Sequence, residues 1–270
     1  MTTVGSSTGA YVSVDGLLVA LADGVLSLTL NRPDSLNSLT ATMFNGIADA
    51  LDRAATDPEV KVVRIAGAGR GFSSGAGISA EDQRAKAGGL SVLDAANRAV
   101  RSVVALPRPV VAVVQGAAAG VGASLALACD VVLASENAYF MLAFTKIGLM
   151  PDGGASALVA AAIGRIRAMR MALLAERIPA DEALRAGLVT AVYPADDLDA
   201  EVDKAIATLV RGPAVAMAKT KEAVNATTLT ELEAALEREK AGQRSLLKGT
   251  DYREGIKAFQ ERRTANFTDS

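Results

Sequence analysis

Asp152 sits in the run Met150-Pro151-Asp152-Gly153-Gly154, a carboxylate between apolar residues and glycines. Such a group can carry a proton when apolar neighbours desolvate it. The same Asp, ahead of Gly-Gly-Ala and an apolar helix, also reads as a helix cap, a role worth about 1 kcal/mol. The 270 residues contain no histidine. That excludes Ser-His-Asp and Cys-His mechanisms, imidazole bases and histidine metal sites. Proton transfer falls to Asp, Glu, Lys, Tyr or the lone Cys129. Cys129 reads as a small buried residue, Asp130 as a turn acid, and Glu81 and Asp82 as solvated reserve candidates for the acid.

Two glycine-rich loops carry the other chemistry. Gly71-Phe72-Ser73-Ser74-Gly75 has the spacing of a nucleophile elbow but no base to serve it. Gly67-Ala68-Gly69-Arg70-Gly71-Phe72 has half of a dinucleotide fingerprint, with Phe72 where the third glycine belongs. No phosphate-cradling G-x-x-x-x-G-K-[ST] occurs. Residues 67–77 and 115–122 each follow a strand-like run and are made largely of small residues. Such loops let main-chain N–H groups approach a ligand, and the second also feeds a helix start. Two N–H donors aimed at one oxygen make an oxyanion hole; tight turns are the plainer reading.

The elements that must position these groups follow from periodicity. Tyr11–Leu21 and Val25–Leu30 read as strands around an Asp23-Gly24 hairpin turn. Strands are expected over 60–66, 109–114, 131–134 and 138–140, with helices over 40–55, 91–106 and 122–129. Residues 81–89 read as a mobile polar segment. Beyond Pro151 the pattern is mostly helical, clearest over 201–210, 213–224, 229–247 and 252–263. This predicts a leader (1–10), an α/β core (11–195) and a helical C-terminal region (196–270). The chain is 50% apolar with a net charge of −2, so nothing favours nucleic-acid binding. One cysteine and no apolar run of about 20 residues fit a cytoplasmic protein.

Four motifs in order resemble the crotonase, or enoyl-CoA hydratase/isomerase, family over nearly the whole chain. They are Leu30-Asn31-Arg32-Pro33 with Leu36-Asn37-Ser38-Leu39; Gly71 to Ala76; Gln115 to Gly122 running on to Ala128-Cys129-Asp130; and Arg253-Glu254-Gly255 with Ala258-Phe259 and Glu261-Arg262-Arg263. The resemblance implies a spiral of ββα units, a helical C-terminal region for trimerisation, and a homotrimer or dimer of trimers. It implies an acyl-CoA substrate, with coenzyme A arriving as part of the thioester and no separate cofactor or metal. It places the oxyanion donors at the N–H groups of Ala76 and Val121, and substrate contacts at Ser74, Gly75, Gly120, Gly122, Phe144, Phe259 and Arg262. Phe259 and Arg262 would meet the coenzyme nucleotide. Gly77 stands where many members carry Asp. Hydratases of the family use two glutamates, and the matching positions here are Ser124 and Phe144. Asp152 matches the single carboxylate of enoyl-CoA isomerases and phenylacetate-pathway isomerases, with Phe144, Leu149 and Met150 as its expected apolar wall. The expected activity is therefore an isomerase, with a hydratase or a silent acyl-CoA binder as rivals.

Overall fold

The computed structural model describes residues 11–77 and 91–268. The expected leader and the segment with Glu81 and Asp82 lie outside the described residues. Leu26, Leu28 and Leu30 alternate with half-buried neighbours, the period of a strand with one face on a core. This strand, β2 (Val25–Leu30), pairs antiparallel with β1 (Leu17–Ala22). Between them Asp23 and Gly24 both take positive φ, 50° and 81°, the conformation a two-residue hairpin needs.

The strands that follow are β3 (Val62–Gly67), β4 (Val110–Val114), β5 (Ala117–Ala119), β6 (Val131–Ser135), β7 (Tyr139–Met141), β8 (Ile178–Pro179) and β9 (Ala191–Tyr193). A six-stranded sheet has the order β1-β2-β3-β4-β6-β9, parallel from β2 onward; β5, β7 and β8 form a second, smaller sheet. The helices are α1 (Ala41–Ala54), α2 (Ser91–Ala105), α3 (Val121–Leu127), α4 (Ala155–Leu174), α5 (Ala180–Ala186), α6 (Leu198–Arg211), α7 (Ala214–Thr228), α8 (Leu232–Leu246) and α9 (Thr250–Gln260).

β4 is buried along its whole length because both faces are covered. Val110, Ala112 and Val114 join the core shared with α1 and α2, while Val111 and Val113 pack on Leu198, Val202 and Ile206 of α6. This explains why β4 reads as an unbroken apolar run rather than an alternating one. The α/β architecture expected from the first half is present.

Two local expectations change, and one helix is interrupted. Residues 115–122 are not all loop: Ala117–Ala119 forms β5, paired with β7. Three alanines carry little strand preference of their own, and the neighbouring backbone decides. The region past Pro151 also holds β8 and β9, and β9 completes the edge of the main sheet beside β6. Two- and three-residue strands are too short to show a period. Finally, α4 is broken at Gly164, whose φ and ψ are 77° and 160°.

Asp130 is the structural acid its sequence suggested. It accepts from the Val110 N–H at 2.8 Å and from Lys221 Nζ of α7 at 2.8 Å, tying that helix to the start of β4. Burial pushes its carboxyl above the usual range, and Lys221 opposes this. Cys129 is buried, donates to the Leu125 carbonyl, and has its thiol pushed up by burial; it is no nucleophile.

Candidate active site

The first loop is held by residues from the chain just after β2. Asn37, fully buried and at φ 56°, donates through Nδ2 to the carbonyls of Ala68 and Gly71, both at 2.8 Å. Its Oδ1 accepts the Arg32 N–H, and Arg32 reaches on to the Ser38 hydroxyl. Gln115 Nε2 donates to Gly67, Gly69 and Gly71 from the other side. Ser73, the centre of the elbow-like motif, donates to the Asn37 carbonyl and accepts from the Gly75 N–H. Its hydroxyl is a strut, which accounts for a nucleophile motif with no base.

The two loops meet. Ser73 bridges Ala118 of β5 in parallel fashion, with Ser73 N–H to Ala117 O and Ala119 N–H to Ser73 O, both at 2.9 Å. A Cβ on Gly75 would come within 2.9 Å of the Ala119 carbonyl, and Gly75 has φ 93°, so only glycine lets the loops touch here. Leu39 bonds to Gly75 O and Gly77 N, on either side of Ala76. In a strand-like bridge this turns the N–H of Ala76 to the opposite side. Val121 opens α3, so its N–H belongs to the first turn, which has no intrahelical acceptor.

Ala76 and Val121 line one cavity of about 770 Å³, together with Ser74, Gly75, Gly120, Phe144, Asp152, Phe259 and Arg262. Nine of the ten site residues expected from sequence thus share a wall. Gly122 is the exception: it lies behind the wall, where a Cβ would fall 2.6 Å from the Ser73 side chain. Val92, Leu93, Met141 and Leu149 supply apolar lining beside Phe144. Met150, expected in that lining, instead packs on Gly242 of α8, whose added Cβ would meet its sulfur at 2.2 Å. Arg70, Lys146 and Arg177 add positive charge to the cavity. Among the described residues no cluster of three acidic or cysteine side chains could hold a metal.

Asp152 is not the cap of α4. The N-cap position is Gly154, at φ 78°. The carboxylate that serves the helix start is Glu239 of α8, accepting the N–H of Gly154 at 2.7 Å and that of Ser156 at 2.8 Å. Burial pushes the Glu239 carboxyl up, and its hydrogen bonds from Ser156 and Gly154 oppose this. Asp152 instead accepts from Gln243 Nε2 through Oδ2 at 2.8 Å, while its backbone carbonyl accepts the Ser124 hydroxyl at 2.7 Å. Sequence reasoning missed Glu239 and Gln243. Both are polar residues spaced i, i+4 in an otherwise apolar helix stripe with Leu232 and Leu236, and that was the available signal. Their partners lie more than eighty residues away.

A family model described as Enoyl-CoA hydratase/isomerase matches residues 21–270. The chain is 40% identical over 250 residues to a probable enoyl-CoA hydratase of Rhodobacter capsulatus, covering 92% of this chain and 96% of that protein. It is 36% identical over 256 residues to the 1,2-epoxyphenylacetyl-CoA isomerase of Escherichia coli, covering 93% and 98%. The crystal structure of an enoyl-CoA hydratase from Mycobacterium avium subsp. paratuberculosis superposes with a TM-score of 0.88 at 71% identity, over 94% of this chain and 99% of that one.

Proposed function

The chain belongs to the enoyl-CoA hydratase/isomerase family, and we propose that it shifts an enoyl-CoA double bond between Δ3 and Δ2 with Asp152 as a single proton carrier. The thioester carbonyl oxygen sits between the N–H groups of Ala76 and Val121. Asp152 takes a proton from C2, the electron pair moves into the thioester as an enolate, and the two donors hold its charge. The enolate collapses, the double bond moves between C2 and C3, and Asp152 returns the proton at C4. No water enters the product and no electrons are exchanged. Coenzyme A is part of the substrate, and the reaction needs no other cofactor.

Ser74, Gly75, Gly120 and Phe144 border the acyl path, and Phe259 with Arg262 borders the nucleotide. The observation that supports this reading is that Asp152 lines the same cavity as both loops; the resemblance adds that Ser124 and Phe144 match the two positions where a hydratase of the family has its carboxylates. Ser124 lies fully buried and holds the Asp152 backbone instead. The enzyme works in the cytoplasm as a homotrimer or a dimer of trimers. No helix among the described residues is long and apolar enough to cross a membrane.

The test supplies purified protein with 3-enoyl-CoA and 2-enoyl-CoA in separate assays. The expected result is conversion of the 3-enoyl thioester, slowed by at least ~10²-fold in Asp152→Asn, with slow hydration of the 2-enoyl thioester. Rapid hydration untouched by Asp152→Ala would make the protein a hydratase, the name carried by the Rhodobacter relative. Binding without turnover or C2 proton exchange would make it a silent acyl-CoA binder.

A further inference from the structure

We propose that Gln243 is a positioning residue for Asp152, its side-chain amide fixing one carboxylate oxygen so that the proton is carried in a defined direction. The inference rests on the reading of Asp152 as the proton carrier. Gln243 is 2% exposed and projects from α8. Its Nε2 lies 2.8 Å from the Met150 carbonyl and 2.8 Å from Asp152 Oδ2. The orientation of the amide is forced: a backbone carbonyl can only accept, so the NH₂ group must face Met150, and the same nitrogen then meets the carboxylate.

One turn earlier on α8, Glu239 holds the N–H groups of Gly154 and Ser156. Ser124 Oγ holds the Asp152 carbonyl from α3. The backbone from Met150 to Ser156 is therefore gripped at four residues before the side chain of Asp152 is considered. A latch serving the fold alone would be complete with Glu239 and the Met150 carbonyl. The additional bond to Oδ2 acts on the carboxylate itself. A neutral donor favours the ionised form that must accept a proton. It also removes rotational freedom from a base that has to reach two carbons of one chain, where an error of 1 Å costs about 10²-fold.

Among the described residues, the other titratable groups around the cavity are Asp34, Arg70, Lys146, Arg177, Tyr252 and Arg262. Glu239 shares the helix with Gln243, and Lys240 is engaged with Asp94 of α2 at 2.6 Å. The first turns of α3 and α4 contribute Ser124 and Ser156 and no charge. All of these are unchanged by substitution of Gln243, so a differential shift reports the amide.

The experiment compares kcat–pH profiles on 3-enoyl-CoA for the wild type, Gln243→Met and Gln243→Glu, with Asp152→Asn as the control. A ¹³C-carboxyl titration of Asp152 in the same proteins reads the group directly. In Gln243→Met the expected result is kcat lower by roughly 10–100-fold with KM within about twofold. The acid limb of kcat should also move up by about one pH unit, since the ionised form loses a donor. In Gln243→Glu the limb should move further up, because two carboxylates in contact share a proton. Gln243→Glu keeps the side-chain length and carries the test if the Met variant does not fold. An acid limb that stays in place in the folded variants, beside an inactive Asp152→Asn, overturns the role of Gln243 and leaves the isomerase reading standing. An active Asp152→Asn overturns both.

Discussion

Two carboxylates, Asp152 and Glu239, lie at the start of α4, and the sequence singled out only the first. Asp152 stands where a cap would stand, just before α4, yet Glu239 from α8 fills that role. Losing Glu239 leaves two helix N–H groups without their acceptor. Glu239→Ala should therefore cost about 1–3 kcal/mol in urea denaturation. The pH dependence has a definite sign. Burial raises the folded-state pKa of Glu239, so the folded protein binds more protons than the unfolded chain between the ordinary glutamate value and the raised one. Stability from this group is full below the ordinary value of about 4.5 and declines as pH rises through the window. The deficit of Glu239→Ala should be larger in mild acid than at neutral pH. An equal deficit at both would remove the burial argument.

The C-terminal element shows how a motif of scattered letters becomes one contact set. Gly255 lets α9 lie against the 3-10 turn that carries Phe144, since a Cβ there would come 2.5 Å from the Ile147 Cα. Arg263 returns to Glu254 with a two-pronged ion pair at 2.6 and 2.9 Å, and Glu254 also accepts the Asn266 N–H. The tail is thereby folded back, and Arg262 is carried to the cavity. Glu254→Gln should raise KM for an acyl-CoA a few-fold with little change in kcat, measured by initial rates. The Arg263 guanidinium lowers the Glu254 carboxyl to about 2. The contribution of this pair is thus present above the ordinary glutamate range and is lost as pH falls from there toward 2. Amide protection factors over residues 261–268, taken relative to intrinsic exchange at each pH, should fall across that interval, and unchanged protection would dissociate the tail from Glu254.

At the scale of the whole molecule, the second half of α4 leaves Ile166 77% and Leu173 61% exposed, with Met169 between them. One helix face carrying that much apolar surface is what a subunit contact covers. Sedimentation should give a multiple of the 27.6 kDa chain mass, three copies or six. The double variant Ile166→Glu, Leu173→Glu should shift it toward the single-chain mass. A wild type that sediments as one chain at micromolar concentration would count against the trimer.

Local chemistry determined much of this protein in advance. The missing histidines, the Asp23-Gly24 turn, the apolar run of β4 and the small-residue loops follow from side-chain type and short-range period, which do not depend on distant partners. Strands β5, β8 and β9 did not show, because two or three residues hold no period and are made strands by the backbone beside them. Nor could the chain alone separate base from cap at Asp152. Glu239 and Gln243 settle which atoms meet the 150–156 segment, and they reach it across more than eighty residues of sequence. Only the packing of α8 against the start of α4 brings them within hydrogen-bond range, and that packing is a property of the folded core rather than of any local run.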